Sequence, residues 1–90
     1  MVRGIEPRSR WEILLDLLKV ISEKEGRAKK TRIMQNAYLD WRNFQRHFSF
    51  LQEHGFVGNN SSPEEGTRYY LTERGKSLLQ RLKEVEQMLQ

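Results

Sequence analysis

The segment AKKTRIMQNAYLDWRNFQRHF, residues 28–48, carries two helix-start signals close together. Thr31 is placed to cap a short helix, because its hydroxyl can accept a hydrogen bond from an unpaired backbone N–H. Asp40 is placed to cap a second helix that begins at Trp41 and stops at Gly55. The segment therefore predicts two helices joined by a turn of three or four residues.

The second of these helices is amphipathic. At about 100° per residue, its apolar arc is formed by Trp41, Phe44, His47, Phe48 and Leu51. The opposite side is polar and basic and is formed by Arg42, Gln45, Arg46 and Ser49. We expect the aromatic arc to face the core and the basic side to face solvent. Two helices in this order, the second with an exposed basic side, form a helix-turn-helix pattern.

A third helix is predicted before this pattern. The sequence SRWE, residues 9–12, is a capping box that starts a helix over residues 10–24. Apolar residues recur along it at spacings of three and four, and Gly26 lies just past its last turn. Residues 26–30 leave room for one short strand.

The residues after the pattern predict a β-hairpin and a last helix. Strand-forming residues at 56–58 and 67–71 flank the turn-rich stretch NNSSPEEG, residues 59–66. Thr72 is placed to cap the last helix. Its apolar residues follow the spacing of a coiled-coil seam and are Leu78, Leu82, Val85 and Leu89.

Length and composition restrict the class of protein. The 90 residues are enough for one domain with a small core, and 37% of them are hydrophobic. The chain has no cysteine, so it has neither disulfides nor thiolate metal sites. The longest apolar stretch, residues 13–21, is interrupted by Asp16 and Lys19 and is too short to cross a bilayer. We expect a soluble, cytoplasmic protein.

The net charge of +4 comes from the middle of the chain. Residues 1–26 and 55–90 each balance five basic side chains with five acidic ones. Residues 27–54 contain only Asp40 and Glu53 as acids. Their basic side chains are Arg27, Lys29, Lys30, Arg32, Arg42 and Arg46. A local excess of this kind is what a surface that binds a polyanion requires.

Three stretches, AKKTRIMQNAYLDW, FLQEHGFV and YYLTERGKSLL, resemble the small archaeal winged-helix DNA-binding proteins, a group of regulators and chromatin-associated proteins. The resemblance implies an α+β, mainly α, winged helix-turn-helix over residues 1–72, with an additional C-terminal helix at 73–90. It implies that residues 41–54 form the recognition helix, that residues 59–66 form the wing, and that the last helix joins a homodimer through its apolar seam.

The expected partner is double-stranded DNA, which would place the protein at the nucleoid. Because arginine and glutamine pair well with base edges and cations at a helix start hold phosphate, we expect DNA contacts from ten residues. These residues are Lys29, Lys30, Thr31, Arg32, Trp41, Arg42, Gln45, Arg46, Ser49 and Arg68. Trp41 has an alternative role, since packing in the core is favoured for it over contact with DNA.

Catalysis and metal binding are not expected. His47 and His54 are seven residues apart on one helix, which separates them by about 10 Å, and no nucleophile, base or cofactor motif is visible. No cofactor or small-molecule ligand can be inferred. Three functions stay open: a transcriptional regulator that reads sequence, a chromatin-type protein that binds DNA without sequence preference, and a winged-helix module that binds proteins instead of DNA.

Overall fold

The computed structural model describes residues 8–90. Its elements are α1 (Arg10–Glu23), α2 (Lys30–Asn36), α3 (Trp41–Glu53), β1 (Val57–Ser62), β2 (Gly66–Leu71) and α4 (Glu73–Met88). The two strands form one antiparallel hairpin, with Val57 opposite Leu71 at its base. The predicted class, a mainly helical winged helix-turn-helix with an extra C-terminal helix, is confirmed. No helix in the described part of the chain is long and apolar enough to span a membrane.

Helix α1 lies at the centre of the packing. Its predicted capping box is present, because the Ser9 N–H donates to Glu12 Oε1 over 2.9 Å and the Glu12 N–H donates back to Ser9 Oγ. The residues that α1 buries contact all other helices and β2, and they are Leu14, Leu15, Leu17, Leu18, Val20 and Ile21. One helix therefore supplies the largest share of the core.

The link between α1 and α2 differs from the prediction in two ways. The predicted strand at residues 26–30 is reduced to a single bridge, in which the Tyr69 N–H donates to the Ala28 carbonyl oxygen over 2.8 Å. Thr31 is not the cap of α2, because the helix already begins at Lys30 and its cap residue, Lys29, makes no side-chain hydrogen bond. The bridge fixes the backbone at Ala28, and α2 begins two residues later.

Helix α3 begins as predicted. Asp40 Oδ1 accepts a hydrogen bond of 2.8 Å from the Asn43 N–H. Phe44 and Phe48 are fully buried, and their rings stack with centroids 4.9 Å apart. Tyr69 of β2 meets the Phe48 ring edge-on at 4.9 Å, which joins the hairpin to α3. Gly55 follows the helix with φ +76°, in the role predicted for it.

The hairpin is longer than predicted. Residues 59–62, expected in the turn-rich tip, belong to β1, and the turn itself is only residues 63–65. These strand residues are polar and exposed on both faces, so no alternation of apolar residues reveals them. The Ser62 hydroxyl accepts from the Glu65 N–H over 2.9 Å and stabilises the turn.

Helix α4 packs against α1. Its cap, Thr72, accepts from the Gly75 N–H over 3.0 Å and donates to the Gly55 carbonyl oxygen over 2.6 Å. Gly75 is buried directly against the backbone of Phe56. Further along, Leu79 enters the core. Near the end of α4, Lys19 Nζ and Glu86 Oε1 form an ion pair at 3.3 Å.

Candidate nucleic-acid interface

The outer face of α3 presents two free cations. Arg42 and Arg46 are exposed, and within residues 8–90 neither forms an ion pair. Gln45 and Ser49 are half-buried at one edge of this face, where Gln45 Nε2 donates to Ser49 Oγ over 3.5 Å. The oxygen of the same amide, Gln45 Oε1, is buried and has no hydrogen-bond partner among residues 8–90. The polar side of α3 therefore presents two arginine side chains at its centre and an amide and a hydroxyl group at its edge.

Trp41 lies outside the core, and the favoured prediction of core packing is wrong. Its side chain is 57% exposed, although its ring centroid lies 6.0 Å from that of Phe44. Leu39, just before the helix, packs against the core instead. Tyr38, in the turn, is 67% exposed and has φ +56°. Two exposed aromatic rings therefore flank the start of α3.

The basic residues at the start of α2 lie beside α3. Lys30 Nζ is 5.6 Å from the centroid of the Phe48 ring, so the ammonium group contacts the side of α3 that also meets Tyr69. Lys29, Thr31 and Arg32 are exposed. Phe48 thus brings the start of α2, the middle of α3 and the base of the hairpin to one place.

The hairpin contributes one cation and two carboxylates. Arg68 is half-buried on β2 opposite Asn60, and its Nε atom is buried with no hydrogen-bond partner in the part of the chain that the structure describes. Glu64 and Glu65 are exposed at the turn. The negative charge at the tip repels a polyanion, so Arg68 is the residue of the hairpin that suits a phosphate contact.

Arg8 positions the turn before α3, a role that sequence reasoning missed. Its Nη1 atom donates to Asp16 Oδ2 at 2.7 Å and to the Ala37 carbonyl oxygen at 2.9 Å. Its Nη2 atom donates to the Tyr38 carbonyl oxygen at 2.8 Å. The guanidinium therefore fastens the turn to α1. No local pattern indicates this contact, because Arg8 and Tyr38 are 30 residues apart in sequence.

The two histidines, one within α3 and one just after its end, have different surroundings. His47 is buried, and its Nδ1 atom donates to the Asn43 carbonyl oxygen over 2.8 Å. His54 is exposed, with its ring centroid 4.3 Å from that of Phe50. Across the residues that the structure describes, no group of three histidine or acidic side chains is arranged to hold a metal ion.

The sequence as a whole matches a known family and a relative in an archaeon. The family described as winged helix-turn-helix matches residues 7–90. The chain is 40% identical over 82 residues to "Uncharacterized protein MJ0287" of Methanocaldococcus jannaschii, and the match covers 91% of this chain and 77% of that protein.

The fold is shared with solved structures of lower identity. A crystal structure of Sso10a-2, a DNA-binding protein from Sulfolobus solfataricus, is similar with a TM-score of 0.77 and 23% identity, covering 90% of this chain and 81% of that one. A MarR-family transcriptional regulator from Silicibacter pomeroyi is similar with a TM-score of 0.67 and 24% identity, covering 79% of this chain and 48% of the regulator.

Proposed function

Because the chain belongs to the winged helix-turn-helix family, we propose that it binds double-stranded DNA through α3 and acts as a transcriptional regulator. The observation that carries the proposal is the pair of exposed arginines on the outer face of α3, Arg42 and Arg46, neither of which forms an ion pair within residues 8–90. The similar structure from Sulfolobus is a DNA-binding protein and the one from Silicibacter is a transcriptional regulator, which supports the same role here.

In this proposal α3 enters the major groove, which is about 12 Å wide and admits one helix. Arg42 and the amide of Gln45 then meet base edges, since these groups form paired hydrogen bonds with guanine and adenine, and Arg46 contacts a base edge or a backbone phosphate. The basic residues at the start of α2 and Arg68 lie at the sides of α3 and contact phosphates. The protein would act at the nucleoid in the cytoplasm.

Arg46→Ala is expected to weaken binding to duplex DNA by about tenfold at low salt, because a charge-assisted contact to a base or phosphate contributes about 1–3 kcal/mol. Fluorescence anisotropy with a labelled random-sequence duplex, repeated at several salt concentrations, measures the affinity and its salt slope. Arg81→Ala is the matched control, because Arg81 is an exposed arginine on α4, away from this surface.

The same titration separates the proposed regulator from the alternatives. Wild-type affinity that differs widely between selected and random duplexes supports a regulator that reads sequence. A steep salt slope with equal affinity for all duplexes supports a chromatin-type protein. No binding of the wild type at low salt would exclude DNA as the partner and leave the protein-interaction module.

We also propose that residues 73–90 join two copies into a homodimer. The apolar side chains at the end of α4 are exposed, with Val85 at 39%, Met88 at 82% and Leu89 at 68%. Leu78 and Leu82, predicted in the same seam, are half-buried and pack against the core of their own chain, so they offer only part of their surface to a partner. A two-fold dimer would present its α3 helices to successive major grooves.

The double change Val85→Glu and Leu89→Glu is expected to give monomers, because it places charges in the centre of the apolar contact. Light scattering coupled to size-exclusion chromatography at micromolar concentration measures the mass. Gln80→Glu adds a charge at an exposed position on the same helix and is expected to leave the dimer intact. A monomeric wild type under these conditions would refute the dimer.

A further inference from the structure

A second feature of α3 lies beside the start of α1. There the two helices enclose an open cavity of about 360 Å³, lined by Arg8, Arg10, Ile13, Asn43, Arg46 and His47. Three of these six residues are arginines, and none is acidic. A recess with this lining has the electrostatic character of an anion site.

Two of the three guanidinium groups are available to a ligand. Arg8 already donates hydrogen bonds to Asp16 and to the carbonyl oxygens of Ala37 and Tyr38. Arg10 and Arg46 are exposed, and neither forms an ion pair within residues 8–90. Arg10 instead lies over the Phe50 ring, with its Cζ atom 4.3 Å from the ring centroid. This contact orients the guanidinium without neutralising its charge.

The wall of the cavity contains a buried polar group with unused capacity. His47 is only 7% exposed. Its Nδ1–H donates to the Asn43 carbonyl oxygen, because a carbonyl oxygen can only accept a hydrogen bond. Its other ring nitrogen, Nε2, has no hydrogen-bond partner in the described part of the chain. The Asn43 amide is itself held by Asp40 Oδ2 at 3.2 Å, so His47 is the polar group of the wall that remains free.

We propose that this cavity binds a phosphate group, with Arg10 and Arg46 as its charged ligands and the buried His47 ring in its wall. Phosphate suits the site because its several oxygens accept hydrogen bonds from more than one guanidinium at once. Arg10 is outside the set of residues predicted to contact DNA, so the site extends the binding surface onto α1.

The phosphate has two possible sources that share this chemistry. It can belong to the backbone of the DNA whose groove α3 occupies, and this assignment rests on the proposed function. It can also be free phosphate, which would then compete with DNA for Arg46. In both cases the cavity holds one phosphate group next to the helix that is proposed to read bases.

The first experiment tests the cavity without DNA. Inorganic phosphate is titrated against chloride at matched pH and ionic strength, and the Hε1 resonances of the chain's two histidines are followed by NMR. We expect the His47 resonance to shift with saturation and the exposed His54, which does not line the cavity, to serve as an internal reference. The shift should disappear in Arg10→Gln and persist in Arg81→Gln. An equal response of His47 to phosphate and chloride would overturn the proposal.

The second experiment identifies the source of the phosphate. If it is DNA, Arg10→Ala should lower the salt slope of duplex binding by about one relative to wild type and to Arg81→Ala. If it is free phosphate, the Arg10→Ala slope stays at the wild-type value, and phosphate displaces DNA from wild type more strongly than chloride does. A wild type that does not bind DNA refutes the proposed function. The phosphate titration followed by NMR tests phosphate binding in the cavity independently, because it contains no DNA.

Discussion

Gly75→Ala is expected to destabilise the fold by about 3 kcal/mol. A Cβ atom at this position would overlap the carbonyl oxygen of Phe56 and lie 3.0 Å from its carbonyl carbon. That oxygen also accepts the Thr72 N–H over 3.2 Å, so it cannot move without losing a backbone hydrogen bond. The start of α4 must therefore shift away from the β-hairpin.

Helix propensity predicts the opposite sign, since alanine is favoured over glycine inside a helix by about 1 kcal/mol. Urea unfolding followed by circular dichroism decides between the two effects. Ser77→Ala, at an exposed position on the same helix, should change stability by only a few tenths of a kcal/mol. If the urea midpoint of unfolding were unchanged or raised in Gly75→Ala, the backbone at Phe56 could move to accommodate the methyl group without loss of stability, and the prediction would be wrong.

Arg8→Ala is expected to destabilise the protein by about 3 kcal/mol, because it removes a charge-assisted hydrogen bond to the Asp16 carboxylate from a largely buried site, and such a bond contributes about 1.5–3 kcal/mol. The Arg8 and Asp16 side chains are only 8% and 15% exposed. The change also removes the donors to the carbonyl oxygens of Ala37 and Tyr38. The same unfolding experiment measures the loss of stability.

Two further variants separate charge from geometry. Arg8→Lys keeps the charge but not the planar guanidinium that reaches three acceptors, so its stability should lie between wild type and Arg8→Ala. Arg10→Ala removes a neighbouring exposed arginine and should cost no more than about 1 kcal/mol, the contribution of an exposed cation–π contact. Equal stability of Arg8→Ala and Arg10→Ala would contradict the role assigned to Arg8.

The parts of the fold that sequence predicted correctly are those whose causes are local. Ser9, Asp40 and Thr72 each cap the helix that follows, because a capping side chain bonds a backbone N–H only a few residues away. The buried arc of α3 from Phe44 to Leu51 follows from helical periodicity in the same way. Such features need no knowledge of the rest of the chain.

The errors have causes that act over long distances in sequence. The bridge from Ala28 to Tyr69 determines where the backbone lies just before α2, and this excluded Thr31 as a cap. Trp41 has the right angle for the core but lies in the first turn of α3, with 57% of its side chain exposed. Periodicity gives the direction of a side chain, and only the packed structure says whether another element covers it. The DNA contacts and the dimer seam stay predictions.

The hairpin has very different local stability at its two ends. At its base, the Tyr69 amide is bonded to Ala28 and its ring is buried against Phe48, so we expect slow hydrogen exchange there. From residue 59 to residue 67 every side chain is exposed, and the strand pair can fray at little cost. A partner that binds the tip restricts this fraying, and the entropic cost reduces the affinity gained there. The wing is therefore suited to adapt to different partner surfaces more than to add affinity.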